Sequence, residues 1–321
     1  MAKTASAIGE LADGVLAGDR RALARAATFV ENRDPGLGEL MARIFPATGR
    51  GVTVGITGAS GVGKSTLASA LVKSLRDAGL RIGVVSVDPT SPFTHGALLG
   101  DRVRMAEHFT DKEVFIRSMG TRGHGGGLAA ATGLVAALLD AAGKDVVLVE
   151  TVGVGQGEVE VIGVVDLVVL VLNPGGGDGV QALKAGAMEI PDVIAVNKRS
   201  HPQAALTVSE LQAAIALEPD HAKRPVIVEC EALDGEGIDE LWAALERRRS
   251  DLEGDGRLAA RRRRGLERQV VTLAVEQVRC DAETAVSRDP ALAQALNDVA
   301  ARRLDPYSAA EQVLSVLSRH Q

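Results

Sequence analysis

The sequence predicts an α/β fold in which a doubly wound, mostly parallel sheet carries helical segments at both ends. Short valine-rich runs alternate with amphipathic stretches from about residue 51 to residue 249, a pattern typical of parallel strands buried on both faces. A glycine-rich loop at residues 58–65 stands between the first run and a helical pattern. Outside this region, apolar residues recur at helical spacings and the strand signal stops.

The composition indicates a globular protein with an aliphatic core. The chain has 321 residues, enough for one sizeable domain plus additional helical material. Aromatic residues make up only 2%, so valine, leucine, isoleucine and alanine must fill the core. The net charge of −6 gives no general reason to expect nucleic acid or an anionic membrane as a partner. Cys230 and Cys280 form no C-x-x-C pair, which indicates neither a zinc ribbon nor a disulfide framework. The N-terminus lacks the apolar core of a signal peptide, so we expect a cytoplasmic protein.

The predicted elements divide the chain into three parts. Residues 1–46 form a helical N-terminal extension, because apolar residues such as Leu11, Val15 and Leu23 recur at helix-like spacings. Residues 47–249 form the α/β domain. Its strands are predicted at residues 52–57, 82–88, 114–116, 146–150, 167–172, 193–197 and 226–229. Its helices are predicted at residues 64–78, 126–142, 179–189, 206–217 and 238–248.

The last part, residues 250–321, is a predicted helical C-terminal region. Residues 250–256 resemble a linker, and helices are predicted at residues 258–285 and 291–317. A run of four arginines at residues 261–264 indicates a solvated helix face or, alternatively, a surface that docks on an acidic partner.

The glycine-rich loop carries the strongest chemical signal. Residues 58–66 match the phosphate-loop pattern G-x-x-x-x-G-K-[ST] in the strand–loop–helix context that this motif requires. Its glycines allow a tight turn whose N–H groups point at a β-phosphate, and the following helix adds the positive end of its dipole. Lys64 supplies a charge to the β- and γ-phosphates, and the Ser65 hydroxyl is a hard oxygen ligand for Mg²⁺. The loop therefore predicts binding of a nucleoside triphosphate with Mg²⁺.

Two acidic residues end predicted strands. Asp88 ends the second strand, and Glu150 ends the fourth, just before the turn Thr151-Val152-Gly153. In an open α/β sheet, ligands bind beyond the carboxyl ends of the strands, where a carboxylate can reach Mg²⁺ directly or through water. We therefore expect both acids to serve the metal ion, and Glu150 to sense the γ-phosphate as well.

A further segment, Asn197-Lys198-Arg199-Ser200, follows a predicted strand where GTPases of this general type carry N-K-x-D. The aspartate of that motif accepts hydrogen bonds from N1 and N2 of guanine. The neutral hydroxyl of Ser200 cannot supply this anionic acceptor, although Asn197 and Lys198 can still hold the loop and cover the base. We therefore expect guanine binding with weakened selectivity.

These residues together resemble one family, the methylmalonyl-CoA mutase-associated GTPases, also called MeaB or ArgK proteins. The resemblance extends from about residue 37 to residue 245 and resumes at Asp305-Pro306-Tyr307. The segments around Asp88, Asp101 and Glu150 are much more specific than a phosphate loop alone, and they occur in the order of the family. The five segments that carry the resemblance are residues 58–66, 87–94, 99–105, 150–156 and 173–181.

The resemblance implies a G domain with a helical N-terminal extension and a C-terminal helical arm that makes a homodimer. It implies that GTP binding and hydrolysis gate delivery of the cofactor to an adenosylcobalamin-dependent acyl-CoA mutase and eject damaged cofactor. It also implies that residues 173–184 form a mobile loop that communicates with the mutase.

The resemblance also implies roles for individual residues. Asp101 would lie in the first switch near the metal ion or the attacking water, and Arg104 would contact phosphate or the partner. The expected catalytic residues are Lys64, Asp101, Arg104 and Glu150, and the expected Mg²⁺ ligands are Ser65, Asp88, Asp101 and Glu150. The expected nucleotide-binding residues are Gly58, Ala59, Ser60, Gly61, Val62, Gly63, Lys64, Ser65, Thr66, Asn197, Lys198, Ser200, Glu231, Ala232 and Leu233.

Several positions depart from the pattern of the family. Ser200 replaces the guanine-reading aspartate, and Glu231 replaces the serine of the loop that covers the base. His95 and His124 replace other residues near the switch regions, and no third ligand with suitable spacing accompanies them. The phosphate-binding residues are kept, so the departures concern base selectivity and the identity of the partner, as in a divergent paralogue.

Two other functions remain as alternatives. A metallochaperone GTPase of the hydrogenase or urease maturation type shares the fold class but needs a Cys/His cluster, and Cys230 and Cys280 have no such neighbours in the sequence. A small-molecule kinase or transport-linked ATPase is left open by Ser200, because that residue weakens the case for guanine.

Overall fold

In the computed structural model, the valine-rich runs pair as a seven-stranded parallel sheet. The strands are β1 Val52–Thr57, β2 Ile82–Asp88, β3 Val114–Gly120, β4 Val146–Glu150, β5 Leu167–Leu172, β6 Val193–Val196 and β7 Val226–Glu229. Their order across the sheet is β3-β2-β4-β1-β5-β6-β7. The structure describes residues 2–88, 105–120, 125–151, 163, 165–175 and 191–319. The prediction of a doubly wound, mostly parallel α/β sheet is confirmed.

Helices precede the sheet, connect its strands and follow it. They are α1 Ala2–Leu16, α2 Arg20–Asn32, α3 Leu37–Ile44, α4 Lys64–Asp77, α5 Gly125–Ala141, α6 Ala204–Ile215, α7 Ile238–Gly254, α8 Arg257–Arg288, α9 Pro290–Ala300 and α10 Pro306–Arg319. None of the helices in the described ranges is long and apolar enough to cross a lipid bilayer. The helix predicted at residues 179–189 lies outside the described residues.

Strand residues alternate between two cores, one on each face of the sheet. In β5, Val169 joins the apolar cluster that contains α4 and α7, whereas its neighbour Leu170 joins the cluster that contains α6. Because every pair of neighbouring strands is parallel, the carboxyl ends of all these strands meet at one edge. The loops that follow β1, β4, β5, β6 and β7 therefore start at the same edge, where ligands bind in such sheets.

The N-terminal helices pack against the sheet domain. Asp19 caps α2 by accepting a hydrogen bond from the N–H of Ala22 at 2.7 Å. Helix α2 contacts α5 and β3, and Arg117 of β3 donates to Glu31 of α2 at 2.5 Å. The apolar side of α2, which includes Leu23, is buried in this contact.

The predicted linker at residues 250–256 is wrong. Helix α7 continues to Gly254, so only Asp255 and Gly256 separate it from α8. Leu252 is 2% exposed and belongs to the main apolar cluster, which explains why the last turns of α7 remain helical. Polar composition resembles a linker in sequence, but the single buried leucine at residue 252 packs these last turns against the core.

The helix predicted at residues 291–317 is instead two helices, α9 and α10. The chain leaves the helix after α9, and Asp305 then caps α10 by accepting hydrogen bonds from the N–H groups of Tyr307 and Ser308, both at 3.0 Å. The chain divides into two compact units after Arg268, the second of which comprises residues 269–321.

The run of four arginines on α8 is split between two environments. Arg261 donates to Asp192 at 2.7 and 3.1 Å, and Arg262 donates to Asp166 with two bonds of 2.7 Å. Both carboxylates are buried, with side-chain exposures of 1% and 6%, whereas Arg263 is 82% exposed. The prediction of a solvated or partner-docking face is therefore wrong for Arg261 and Arg262, which anchor α8 to buried acids of the sheet domain.

Candidate nucleotide-binding site

The loop between β1 and α4 has a shape that depends on two glycines. Gly58 has a φ of +145° and Gly63 a φ of +97°, in the region that favours glycine. A Cβ atom at Gly58 would collide with the carbonyl of Val171, and one at Gly63 would collide with the side chain of Asn197. Gly63 is also the N-cap of α4 and has no side chain that could cover the first N–H groups of the helix. The loop is therefore shaped for an anion bound against the start of α4.

The ammonium group of Lys64 lies across this loop. Its Nζ atom donates to the carbonyl of Gly58 at 2.8 Å and to that of Ala59 at 3.0 Å. The residue is only 7% exposed, so the charge is held beside the backbone that would surround a β-phosphate. The rest of the loop is arranged around it: Ser60 and Gly61 are exposed, Val62 is buried, and Thr66 of α4 is half-buried.

A hydroxyl and a carboxylate meet next to Lys64. The Ser65 hydroxyl donates to Oε1 of Glu150 at 2.6 Å, and Ser86 lies 3.4 Å from the other carboxylate oxygen. Glu150 ends β4 directly opposite Ile56 of β1, and it is 3% exposed. Hard oxygen atoms of this kind are the ligands that Mg²⁺ prefers, so Ser65 and Glu150 fit a Mg²⁺ ion beside the phosphate loop.

Among the remaining expected metal and switch residues, the structure describes the backbone of Asp88. Asp88 is the last residue of β2 and pairs with Gly120 of β3, so its backbone stands at the carboxyl edge of the sheet. Asp101 and Arg104 lie outside the described residues, as do His95 and His124.

Asn197 joins the phosphate loop to the loop after β7. Its Nδ2 donates to the carbonyl of Val62 at 2.9 Å, and its Oδ1 accepts from the N–H of Ala232 at 3.1 Å. Asn197 is 4% exposed, and Lys198 next to it has a φ of +58°. Asn197 therefore links the phosphate loop to the loop after β7, and its role in holding the loops around a base stays a prediction.

Asn173, after β5, contacts the same region and was not expected among the nucleotide-binding residues. With its amide oriented to satisfy both neighbours, it donates to the carbonyl of Val62 at 2.9 Å and accepts from Nζ of Lys198 at 3.2 Å. The sequence placed Asn173 only in a segment expected to face the partner. The adjacency of β5 and β1 brings it to the phosphate loop, and the adjacency of β5 and β6 brings it to Lys198; sequence spacing reveals neither.

Ser200 and Glu231 are joined by hydrogen bonds, which the sequence did not predict. The Ser200 hydroxyl donates to Oε2 of Glu231 at 2.7 Å, and the N–H of Ser200 donates to the same oxygen at 3.3 Å. The only signal in the sequence was that both positions depart from the family pattern. Leu233 follows in the same loop and is 82% exposed, as expected of a side chain that could cover a base.

Cys230 follows β7 directly and is buried. Burial raises the pKa of its thiol to about 12, and the nearby carboxylate of Glu240 adds to this effect. The residue is 0% exposed, and its Sγ lies 3.6 Å from the carbonyl of Gly237. Cys230 is therefore a packing residue and not a reactive thiol.

Comparisons with known proteins agree with this geometry. The model of the family described as methylmalonyl-CoA mutase-associated GTPase MeaB matches residues 23–287. A Pyrococcus abyssi protein that carries a GTPase name is 47% identical over 311 residues, which covers 96% of each chain. GTPase ArgK of Escherichia coli is 38% identical over 250 residues, which covers 75% of this chain and 76% of ArgK. The crystal structure of a LAO/AO transport system kinase has a TM-score of 0.71 at 28% identity and covers 98% of both chains.

The family match includes the whole sheet, the phosphate loop, and the loops after β6 and β7. The described part of the site also has the features of a P-loop GTPase: the glycine turn, the buried lysine, and the contact between Ser65 and Glu150. This chain therefore belongs to the MeaB family of methylmalonyl-CoA mutase-associated GTPases.

Proposed function

We propose that this GTPase binds Mg²⁺ and GTP at the carboxyl edge of its sheet and serves as the chaperone of an adenosylcobalamin-dependent acyl-CoA mutase of the methylmalonyl-CoA type. The single observation that carries the nucleotide part is the 2.6 Å contact between Ser65, the residue after Lys64, and Glu150. The name of the family supports the mutase part. In this proposal, the nucleotide cycle gates cofactor loading and protects or reactivates the mutase.

The phosphate loop would bind the nucleotide mainly through its backbone. The N–H groups at the start of α4 and the ammonium group of Lys64 would meet the β- and γ-phosphates. Ser65, Asp88 and Glu150 would hold Mg²⁺ and its water molecules. The metal ion would neutralise charge on the phosphate oxygens during phosphoryl transfer, a reaction in which the protein contributes chiefly positioning and electrostatic stabilisation.

Asp101 and Arg104 would complete the hydrolytic site. Their proposed roles come from the resemblance to the family: Asp101 near the metal ion or the attacking water, and Arg104 in contact with phosphate or the partner. GTPases of this type are slow alone and faster when a partner completes the site, so both residues are proposed to act when a γ-phosphate is bound and the partner is present.

The mutase role is tested with the purified full chain and a methylmalonyl-CoA mutase. Size-exclusion chromatography in GDP, GTP and a non-hydrolysable GTP analogue should give a complex whose amount depends on the nucleotide. Loss of mutase activity during prolonged turnover should slow when the chain and GTP are both present, and Lys64→Ala should remove that protection. Absence of a complex in all three nucleotides would contradict the chaperone role.

We also propose that residues 250–321 form a homodimerisation region. Helix α8 carries a row of exposed apolar side chains at helical spacing. A row of this kind is costly in water and is usually covered by another protein surface. The row consists of Leu266, Val270, Val271, Val275 and Val278, which are 44–65% exposed.

A transport-linked ATPase or small-molecule kinase remains the second candidate. The name of the related solved structure, a transport system kinase, favours it, and so does the hydroxyl of Ser200 in place of an acid. Steady-state hydrolysis of GTP and ATP, measured side by side, distinguishes the two candidates. A preference for ATP would overturn the guanine assignment.

The metallochaperone alternative has a separate test. Within the described ranges, no group of three or more His, Cys, Asp or Glu side chains is arranged to hold a metal ion. Equilibrium dialysis of the full chain with Ni²⁺ and with Zn²⁺ measures such binding directly. Tight stoichiometric binding of either ion would favour a metallochaperone.

A further inference from the structure

Two loops near the phosphate loop differ from the family pattern in opposite ways: one lacks an acid, and the other has an acid in place of a hydroxyl. The loop after β6 carries Ser200 where an acid would read guanine, and the loop after β7 carries Glu231 where a hydroxyl would stand. Strands β6 and β7 are parallel neighbours, with Val196 opposite Glu229, so the two loops leave the sheet side by side. The hydrogen bond of 2.7 Å from the Ser200 hydroxyl to Oε2 of Glu231 places the carboxylate next to the position that Ser200 leaves without charge.

The backbone of the loop after β7 fixes Glu231 in this place. The N–H of Glu231 donates to the carbonyl of Glu236 at 2.9 Å, and its own carbonyl accepts from the N–H of Asp234 at 3.1 Å. The N–H of the next residue, Ala232, donates a hydrogen bond to Oδ1 of Asn197. The Nδ2 group of Asn197 in turn donates to the carbonyl of Val62 in the phosphate loop. A continuous chain of hydrogen bonds therefore connects the Glu231 loop to the site where the phosphates would lie.

We propose that the carboxylate of Glu231 is the group that recognises guanine in this chain, by accepting hydrogen bonds from N1–H and the N2 amino group. This inference rests on the nucleotide-binding function proposed above. Ser200 engages only Oε2, and among the described residues Oε1 accepts no hydrogen bond, so one carboxylate oxygen remains for the base. Adenine has no N–H donor at N1 and no amino group at C2, so it offers Oε1 no hydrogen-bond donor from these positions.

Substitution of Glu231 by glutamine tests the proposal, because glutamine keeps the size and one acceptor oxygen but removes the charge. Calorimetric titration of the full chain with Mg²⁺ should use GDP, IDP, XDP and ADP. IDP lacks the N2 amino group, and XDP carries a carbonyl oxygen in its place. Wild-type protein should bind GDP at least about 10-fold more tightly than IDP or ADP, because hydrogen bonds to charged groups contribute this much.

In Glu231→Gln, the affinity for GDP should fall by about 10–100-fold, while that for ADP should change less than about 3-fold. The affinity for XDP relative to GDP should rise, because the glutamine amide can donate to the carbonyl oxygen of xanthine. Glu236→Gln is the matched control: Glu236 lies in the same loop and is paired with Arg199 at 3.5 Å, so its removal should leave the GDP-to-IDP ratio unchanged.

A swap variant provides an independent check. Ser200→Asp alone would place a second carboxylate beside that of Glu231, and the repulsion should lower the affinity for GDP. The double variant Ser200→Asp, Glu231→Ser restores one acid and one hydroxyl and should recover the GDP-to-IDP ratio of the wild type. A gain in guanine selectivity from Ser200→Asp alone would contradict the assignment of Glu231.

The outcomes separate this inference from the function on which it rests. If the wild type binds GDP but Glu231→Gln keeps the same GDP-to-IDP and GDP-to-ADP ratios, Glu231 does not recognise the base. Equal weakening of all four nucleotides would indicate that Glu231 only supports the loop, and it would overturn the proposal as well. If the wild type binds none of them, the nucleotide-binding function itself fails.

Discussion

At the residue scale, the phosphate site consists of side chains held by the backbone of the phosphate loop itself and by an acid at the end of a neighbouring region of the sheet. The carbonyls of Gly58 and Ala59 hold the ammonium group of Lys64, and the adjacency of β1 and β4 brings Ser65 to Glu150. These contacts hold a positive group on the phosphate loop and a negative group at the second residue of α4. A Mg²⁺–triphosphate, which carries both signs of charge, is the ligand that such a pair fits.

Removal of the lysine charge should therefore separate function from folding. We expect Lys64→Ala to lower GTP hydrolysis at least about 100-fold, because one charged contact to the reacting phosphate is lost. Lys73→Ala, an exposed position on the same helix, is the control and should hydrolyse GTP like the wild type. The melting temperature of Lys64→Ala should change by no more than about 4 °C. Wild-type turnover in Lys64→Ala would contradict the role of this lysine.

Thiol labelling should distinguish the two cysteines. Because burial raises the pKa of Cys230 to about 12, its thiol should remain protonated and unreactive toward a thiol reagent in the native protein at about pH 8. Cys280 is partly exposed and should react. We expect one reactive thiol per native chain, none in Cys280→Ser, and two after unfolding. Rapid labelling of native Cys280→Ser would show that Cys230 is accessible.

Single residues could be predicted from the sequence where a motif fixes their spacing, and not where distant loops meet. Lys64 and Ser65 follow from the phosphate-loop pattern, and Glu150 from its place at the end of an apolar run. The bond between Ser200 and Glu231 joins residues 31 positions apart, and it depends on the order of strands in the sheet. A charge at Glu231 that compensates for the missing charge at Ser200 can be recognised only from the positions of both residues in space.

At the scale of elements, the strands followed closely from the sequence because parallel strands buried on both faces are continuous apolar runs. The bounds predicted for β1, β2, β4, β5 and β7 agree with the structure, whereas β3 continues beyond the predicted residues 114–116 to Gly120. The helical C-terminal region was less predictable, because its apolar positions are sparse. The run of four arginines shows the limit: only the packing of α8 reveals that two of them pair with buried acids.

The anchoring of α8 predicts that Arg262 and Arg263 contribute unequally to the free energy of unfolding. Arg262 donates to the buried Asp166 and to the carbonyls of Gly49 and Gly51. Arg262→Ala should lower the free energy of unfolding by about 2 kcal/mol, because it leaves a buried carboxylate with fewer partners. Arg263→Ala, at an exposed position, should change it by less than about 0.5 kcal/mol.

Urea unfolding monitored by circular dichroism measures both variants of α8. An equal effect of the two substitutions would indicate that the contact between Arg262 and Asp166 contributes nothing beyond an exposed ion pair. The double variant Arg262→Ala, Asp166→Asn should recover part of the loss, since the buried charge is then removed along with its partner.

At the scale of the whole molecule, the parallel sheet brings the carboxyl ends of its seven strands to one edge. The alternation of strands and helices predicts this edge in general, because right-handed crossovers leave few possible topologies. The alternation does not predict which loops become neighbours, although the proposed site for the base is formed by two neighbouring loops, those after β6 and β7. The exposed apolar row of α8 likewise cannot be recognised from the sequence, because recognising it requires the exposure of each side chain in the structure.

That row predicts the state of association. We expect the full chain to sediment as a dimer, and we expect Val271→Glu with Val275→Glu to sediment as a monomer, because charges would replace the apolar contact. Gln277→Ala, at an exposed polar position of the same helix, should remain dimeric. The double variant should still bind GDP. A monomeric wild type, or a double variant that stays dimeric, would contradict dimerisation through this face.

Calorimetric titration of the full chain with GTP analogue, GDP and ATP, with and without Mg²⁺, tests the central claim most directly. One site per chain should saturate with the guanine nucleotides, ATP should bind at least about 10-fold more weakly, and removal of Mg²⁺ should weaken the triphosphate more than the diphosphate. Absence of saturable heat with every nucleotide would contradict the phosphate site, and tighter binding of ATP would contradict the assignment of guanine.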